Sequence, residues 1–484
     1  MIPKRGDEVT VEISSAAFEG KSVARVEGFV LFVDGAVPGD VVRVRVVKSK
    51  KQYGEARVLE IEQPSPLRTT PRCPHVGTCG GCKWQHVSYP AQLQFKQQQV
   101  LEAFEHIGGF TSPEILSIIG ADEIFFYRNK MEFSFANQQW LEQLPIADLQ
   151  LPIEDRPIGN QKSEIANPPV FLGLHVPQRY DKVLDIRECH LQSDLSNTIL
   201  TYTREFARRS GLAVYSTESD SGYFRFLVIR QSTRTNELMV NLVTFESRPD
   251  VMKQWTEGLL ETAPGVTTVV NTINNRKAQI AFGDREQVYH GDGVIHERLG
   301  NHTFTISAGS FFQTNTAQAE RLYTVAKDFA GLHKTDTVYD LYSGTGSIAL
   351  FVSDGAGNVV GIESVESAVR DAERNAKLNG VTNCSFVLGD LKDRLTKDSE
   401  WMQSHAKPDV LIIDPPRSGM HPRVVEEIAA MAVARVVYVS CDPATQARDV
   451  KTLCERGYRI VKLQPVDMFP HTYHIENVAL LECG

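Results

Sequence analysis

The chain has 484 residues, of which 42% are hydrophobic and 23% charged, and its formal net charge is −9. That length is divided among roughly two to four cores, and the acidic balance excludes a surface coated in basic residues for indiscriminate nucleic-acid binding while leaving room for local basic patches. No apolar run of about 18 residues marks a transmembrane helix and the first residues lack the apolar core of a signal peptide, so a cytoplasmic chain without a membrane partner is expected. Of the eight cysteines, Cys73, Cys79 and Cys82 crowd together, which in such a chain points to a metal or cluster site plus individual thiols rather than to disulfides.

Residues 1–63 read as a small β domain. Alternating or β-branched stretches at 9–13, 29–33, 41–47 and 56–61 are separated by turn residues such as Asp34-Gly35 and Pro38-Gly39-Asp40, and five short strands in this length predict a barrel of the oligonucleotide-binding type. Arg43, Arg45, Lys48, Lys50 and Lys51 suit either a strand that tracks a phosphate backbone or a lysine-protected edge. Gln63-Pro64-Ser65-Pro66 reads as a linker.

A middle domain is expected over 64–306. It opens with the cysteine cluster and a helix over 89–106 with Tyr89, Leu93, Lys96, Val100 and Phe104 on one side. The segment 92–125 is expected to pack with the catalytic domain. Strand-like runs at 131–135, 171–176, 224–231, 238–243 and 267–271 make it a mixed α+β unit. The acidic, proline-rich stretch 137–170 is expected to be a loop insertion. Cys73-x5-Cys79-x2-Cys82, with Cys189 in Arg187-Glu188-Cys189-His190 as fourth ligand, offers four soft thiolates suited to zinc or to an iron–sulfur cluster. There is no C-x3-C-x2-C run, so radical chemistry is not supported.

Over 307–484 the pattern becomes alternating β and α: strands at 338–341, 359–362, 385–388, 410–413 and 436–439, with a helix over 365–378. This predicts a doubly wound, mostly parallel sheet of Rossmann-like type. Asp340-Leu341-Tyr342-Ser343-Gly344-Thr345-Gly346-Ser347 falls where the first strand ends, at the place where such sheets bind ligands; the third glycine of a dinucleotide fingerprint is missing, which weighs against a dehydrogenase. Glu363 closes the second strand, where a carboxylate accepts ribose hydroxyls. Asp390 follows the third and suits an adenine edge. Asp414-Pro415-Pro416-Arg417 closes the fourth as a rigid turn beside the transferred group. Each of these acids, taken alone, is as readily a helix cap.

A cysteine ending a strand is most often a small buried hydrophobe. Cys441, in Ser440-Cys441-Asp442-Pro443, ends the strand after the one that closes on Asp414, so both open on one pocket and Cys441 is a candidate nucleophile. Glu476, in His471-Thr472-Tyr473-His474-Ile475-Glu476, is the candidate base, with His471 and His474 placed to orient it or to hold a substrate phosphate.

Together these motifs, with Gly6, Val9, Val11 and Ile13 near the start of the barrel and Ser310-Phe311-Phe312-Gln313-Thr314-Asn315, resemble the RNA uracil-5 methyltransferases, in particular the bacterial 23S ribosomal RNA members with a TRAM domain and a [4Fe–4S] cluster. The resemblance covers nearly the whole chain. It implies that Cys73, Cys79, Cys82 and Cys189 hold the cluster, that Gln313, Tyr342, Ser347, Glu363, Asp390 and Asp414 line the S-adenosylmethionine site, that Cys441 is the nucleophile and Glu476 the base, and that Phe311 lies near a flipped uridine. Ser343 stands where many members have cysteine, and Ser347 where some have asparagine. The expected protein is a monomeric enzyme acting on structured RNA, most of all 23S ribosomal RNA. The rival readings are a transfer RNA methyltransferase, an exocyclic-amine methyltransferase, which needs no thiol, and a non-catalytic RNA-binding or chaperone module.

Overall fold

The computed structural model describes residues 2–138, 169–176, 179–396 and 398–484; most of the predicted 137–170 insertion lies outside the described residues. Strands β1 (Glu8–Ala16), β2 (Ser22–Val26), β3 (Phe29–Asp34), β4 (Val41–Ser49) and β5 (Tyr53–Gln63) close into a barrel in the order β1-β2-β3-β5-β4. The period-two pattern puts Val11, Ile13, Leu31, Val33, Val42, Val44 and Val46 inside. β2 is the strand without a distinct sequence signal. The basic stretch is largely neutralised within the barrel: Arg43 pairs with Glu8 and Glu60 (both 2.8 Å), Arg45 with Glu8 (2.7 Å) and Lys48 with Glu55 (3.0 Å). A phosphate-tracking role for this strand therefore has to compete with ion pairs already made.

The middle of the chain forms a seven-stranded sheet from β6 (Lys130–Ala136), β7 (Phe171–Val176), β8 (Arg179–Asp185), β9 (Phe224–Gln231), β10 (Leu238–Thr244), β11 (Thr268–Ile273) and β12 (Arg285–His290), in the order β12-β11-β10-β9-β6-β7-β8. The hairpin β13 (Val294–Leu299) and β14 (His302–Ser307) follows. It precedes the boundary expected at 307, yet its Leu299 and Phe304 share one core with Val338, Ile412 and Val478 of the C-terminal sheet; an apolar face on a two-stranded hairpin has to be covered by a larger layer, and that layer is the C-terminal domain. Helix Tyr89–Glu102 continues as a π-helical turn, Ala103–Gly108. Its Val100 and Phe104 pack with Leu411, Ile413 and Leu463 in the core on the other face of that sheet.

The C-terminal sheet comprises β15 (Thr337–Leu341), β16 (Asn358–Glu363), β17 (Cys384–Leu388), β18 (Val410–Ile413), β19 (Arg435–Ser440), β20 (Tyr458–Val466) and β21 (Glu476–Cys483), ordered β17-β16-β15-β18-β19-β21-β20. The first five run parallel and β21 runs antiparallel to both neighbours. The strand order reverses between β15 and β18, so the carboxyl ends of these strands frame a crevice. No helix among the described residues is long and apolar enough to cross a membrane.

Candidate active site

A cleft of about 1460 Å³ opens at this crevice, lined by Phe311, Gln313, Tyr342, Ser347, Glu363, Asp414, Cys441, His474 and Glu476, and it runs on to Cys73, Cys79, Cys82 and Cys189. Tyr342 holds a φ of 66°, and Gly344 and Gly346 follow at 53° and 77°; a side chain resists that conformation and glycine accepts it, so strain is concentrated in the turn that faces the cleft. The Gly344 N–H donates to Glu363 Oε2 (3.0 Å), while Glu363 Oε1 accepts the N–H groups of Ser364 (2.7 Å) and Val365 (2.8 Å). Ser347 Oγ shares a hydrogen bond with the hydroxyl of buried Tyr323 (2.9 Å).

The antiparallel return of β21 brings the thiol and the distant glutamate together. β19 and β21 pair in the register Arg435↔Glu482 through Ser440↔Asn477, and one further step sets Cys441 opposite Glu476. Burial, with the charges of Glu476 and Asp414, pushes the Cys441 thiol up to about 12 against the pull of Arg417. Burial raises Asp414 to about 7. Burial and then Asp414 raise Glu476 well above the ordinary carboxylate range, while Arg417 lowers it. A ligand that carries positive charge would favour the ionised form of these buried acids. Arg417, although part of the quoted turn motif, carried no role in the sequence reading; it is the cation that acts on both Cys441 and Glu476. Arg128, on the cleft wall, had no local signal, because it precedes β6 far from the other motifs.

Phe311 is 70% exposed on the cleft wall, whereas Phe312 is buried against Phe304. Buried Arg230 of β9 holds this loop by donating to the carbonyls of Ala308 (3.2 Å) and Ser310 (2.6 Å). Two expected contacts are placed differently. Asp390 is not among the cleft-lining residues: it caps helix Leu391–Arg394, accepting the Lys392 N–H (3.1 Å), and pairs with the Lys392 ammonium (2.8 Å). It serves as a cap here because the chain turns into a helix directly after β17. His471 is buried away from the cleft, with its ring tilted against Phe125 at 4.4 Å and its main chain bonded to Gln92. It therefore holds protein rather than phosphate. His474 does line the cleft, but burial and then Arg417 lower it to about 4, so its ring is neutral and adds no charge for a phosphate.

At the other end of the cleft the Gly81 N–H donates to Cys79 Sγ (3.3 Å) and Gln85 Nε2 to Cys82 Sγ (3.3 Å). The backbone of Cys189 is held by the side chain of Asn197, its N–H donating to Oδ1 (2.8 Å) and its carbonyl accepting Nδ2 (3.2 Å). Burial raises all four thiols, and N–H groups aimed at buried sulfurs suit thiolate ligands. Among the described residues no three His, Cys, Asp or Glu side chains converge as ligands of a metal ion.

Residues 223–483 match the family described as tRNA (uracil-5-)-methyltransferase, and residues 4–59 match the TRAM domain. An uncharacterized RNA methyltransferase of Chlorobaculum tepidum is 43% identical, the match covering 99% of this chain and 97% of the relative. Another of Porphyromonas gingivalis is 44% identical, covering 97% and 99%. Among solved structures, the Pyrococcus abyssi tRNA (uracil-54, C5)-methyltransferase in complex with S-adenosyl-L-homocysteine is similar with a TM-score of 0.72 and 28% identity, over 98% of this chain and 100% of that one. With a crevice that gathers a thiol, a turn with strained backbone and strand-end acids, and with full-length relatives of this kind, the chain belongs to the RNA (uracil-5-)-methyltransferase family, S-adenosylmethionine-dependent transferases, and carries a TRAM domain ahead of its catalytic part.

Proposed function

We propose that this enzyme methylates carbon 5 of a uridine in 23S ribosomal RNA, as a monomer, with Cys441 as nucleophile and Glu476 as base. The observation that carries the mechanism is the β19–β21 register, which sets Glu476 opposite Cys441 beside Asp414. Carbon 5 of uracil is too electron-poor to attack a sulfonium methyl. Cys441 gives its proton to a neighbouring carboxylate and adds through sulfur to carbon 6, and the electron pair of the 5,6 double bond moves into an enolate that makes carbon 5 nucleophilic. The bound cofactor supplies a methyl group on positively charged sulfur. Glu476 then takes the carbon 5 proton, the C–H electrons re-form the 5,6 double bond, the carbon 6–sulfur bond breaks, and Cys441 leaves as thiolate. Gln313, Tyr342, Ser347, Glu363 and Asp414 hold the cofactor, and Asp390 joins them by exchanging its bond to Lys392. Phe311 stacks on the uridine, which must leave its helix because a thiol has no approach to carbon 6 within a stack.

Cys73, Cys79, Cys82 and Cys189 would hold a [4Fe–4S] cluster, which would fix their loop against the RNA-binding cleft. The N–H donors on Cys79 and Cys82 support thiolate ligation, which such a cluster uses. The barrel (1–63) and the middle domain (64–306, less its last hairpin) grip the RNA.

Ribosomal RNA is supported by the joint presence of the barrel and the cysteine pattern. Transfer RNA is the second reading, favoured by the printed activity of the Pyrococcus abyssi neighbour. Incubating wild type and Cys441→Ala with labelled cofactor and unmodified ribosomal and transfer RNA, followed by nucleoside analysis, separates them. Label in 5-methyluridine of ribosomal RNA, lost in the variant, is expected. Label in transfer RNA alone keeps the chemistry and overturns the substrate. Full activity of the variant points to exocyclic-amine chemistry, and failure of wild type to bind S-adenosylmethionine points to a non-catalytic RNA-binding module.

A further inference from the structure

The segment that leads from β20 to Glu476 accepts hydrogen bonds from the main chain of Lys83 and Trp84 and from Tyr127, Asn315 and Gln318, and it is also held by polar groups of one helix, Tyr89–Glu102, none of which reaches the cleft. Asp467, the first residue after β20, is fully buried, and its carboxylate accepts Lys96 Nζ (2.5 Å), the Tyr89 hydroxyl (2.8 Å) and the Phe469 N–H (3.1 Å). Lys96, equally buried, also donates to the Phe469 carbonyl (3.1 Å). One helical turn earlier, Gln92 Oε1 accepts the His471 N–H (2.8 Å), while Nε2 donates to the carbonyls of Trp84 (3.0 Å) and Val87 (2.8 Å) and lies 3.2 Å from His471 Nδ1. His471 keeps a φ of 67°, a conformation that persists only where its surroundings over-determine it.

A buried ion pair is a poor source of stability, because desolvation offsets the Coulomb attraction, and a well-packed apolar pair often does as well. What such a pair does impose is one geometry. We propose that Gln92 and Lys96 are positioning residues for the transfer reaction: they fix the 467–475 segment so that Glu476 stands where it can take the carbon 5 proton. This rests on the reading of Glu476 as the base.

The proposal separates two steps that a general loss of fold would not separate. Addition of Cys441 and methyl transfer precede proton removal, so an enzyme with a displaced base stalls as a covalent protein–RNA adduct that already carries the methyl group. The test uses the full chain with the RNA it methylates and compares Gln92→Leu, the double variant Lys96→Met with Asp467→Leu, Lys96→Arg, and Glu476→Gln as reference. Single-turnover methyl transfer, kcat, KM for RNA, thermal melting and the adduct fraction on a denaturing gel are measured. Gln92→Leu and the double variant are expected to lose about 10- to 100-fold in kcat, with KM and single-turnover methyl transfer little changed and the adduct accumulating toward the Glu476→Gln level, while Lys96→Arg keeps most of the rate. Unchanged kcat without adduct, or joint loss of methyl transfer and adduct in a protein that still melts cooperatively, overturns the proposal. If the double variant does not fold, Gln92→Leu decides alone. If Glu476→Gln itself forms no adduct, the base assignment fails, which is a separate result.

Discussion

At the scale of single residues the crevice is defined by acids withdrawn from bulk water, Glu476 buried and Asp414 half-buried. Asp414 ionises near 3.8 in an unfolded chain and near 7 here, because burial disfavours its charged form. The folded protein therefore binds this proton more tightly than the unfolded one over that interval, and stability falls as pH rises from about 4 to about 7 and levels off above. Asp414→Asn, which carries no charge to desolvate, is expected to melt higher than wild type at pH 8, with the gap closing toward pH 5. Scanning calorimetry of both proteins across that range checks it, and an equal gap at both ends means that the ionised carboxylate has found a partner. S-adenosylmethionine, whose sulfonium is positive, should narrow the gap at pH 8 more than its neutral product does.

At the scale of elements, the sequence made some things legible and left others hidden. The parallel strands were readable because each is a short, largely apolar run that ends at a turn, and Asp414 and Cys441 directly follow the ends of β18 and β19. The adjacency of Cys441 and Glu476 was not readable, because it depends on β21 inserting antiparallel between β19 and β20, a pairing made across more than thirty residues of chain with no local signature. Asp390 was ambiguous for a related reason: an acid after a strand and before a helix has the same spacing whether it caps or binds. The loop after β14 shows the same limit. Phe311 and Phe312 look alike in sequence, and large aromatics are usually buried, yet the clamp from Arg230 of β9 turns one outward and the other into the core. The two should separate in experiment. Phe312→Ala is expected to cost about 3–5 kcal/mol of stability by urea unfolding. Phe311→Ala should leave stability nearly unchanged and weaken RNA binding by about 1–3 kcal/mol, the worth of one stacked base. Loss of stability without loss of RNA binding in Phe311→Ala would remove its role at the cleft.

At the scale of the whole molecule, the cysteine loop and the base-bearing segment are far apart in sequence and adjoin in space. Lys83 and Trp84 follow Cys82 directly, and both donate their N–H groups to the carbonyl of His471 (2.8 and 2.9 Å). Tyr127, just ahead of β6, donates its hydroxyl to the neighbouring Pro470 carbonyl (3.0 Å). The 467–475 segment is thus gripped from three elements of the N-terminal half, and the order of residues 73–84 is a condition of its own order. Local opening in proteins proceeds in contiguous cooperative units, and the main-chain hydrogen bonds between these two segments predict that they open together. Cys79→Ser, which withdraws one proposed ligand and the sulfur that accepts the Gly81 N–H, should therefore speed amide hydrogen exchange at 79–84 and also at 471–476, while β9, β10 and β11 keep their protection. Exchange followed by mass spectrometry on peptides from these regions measures both. Faster exchange confined to the cysteine loop would mean that the bonds to His471 do not couple the two segments, and the cysteines would then serve the RNA side of the cleft alone.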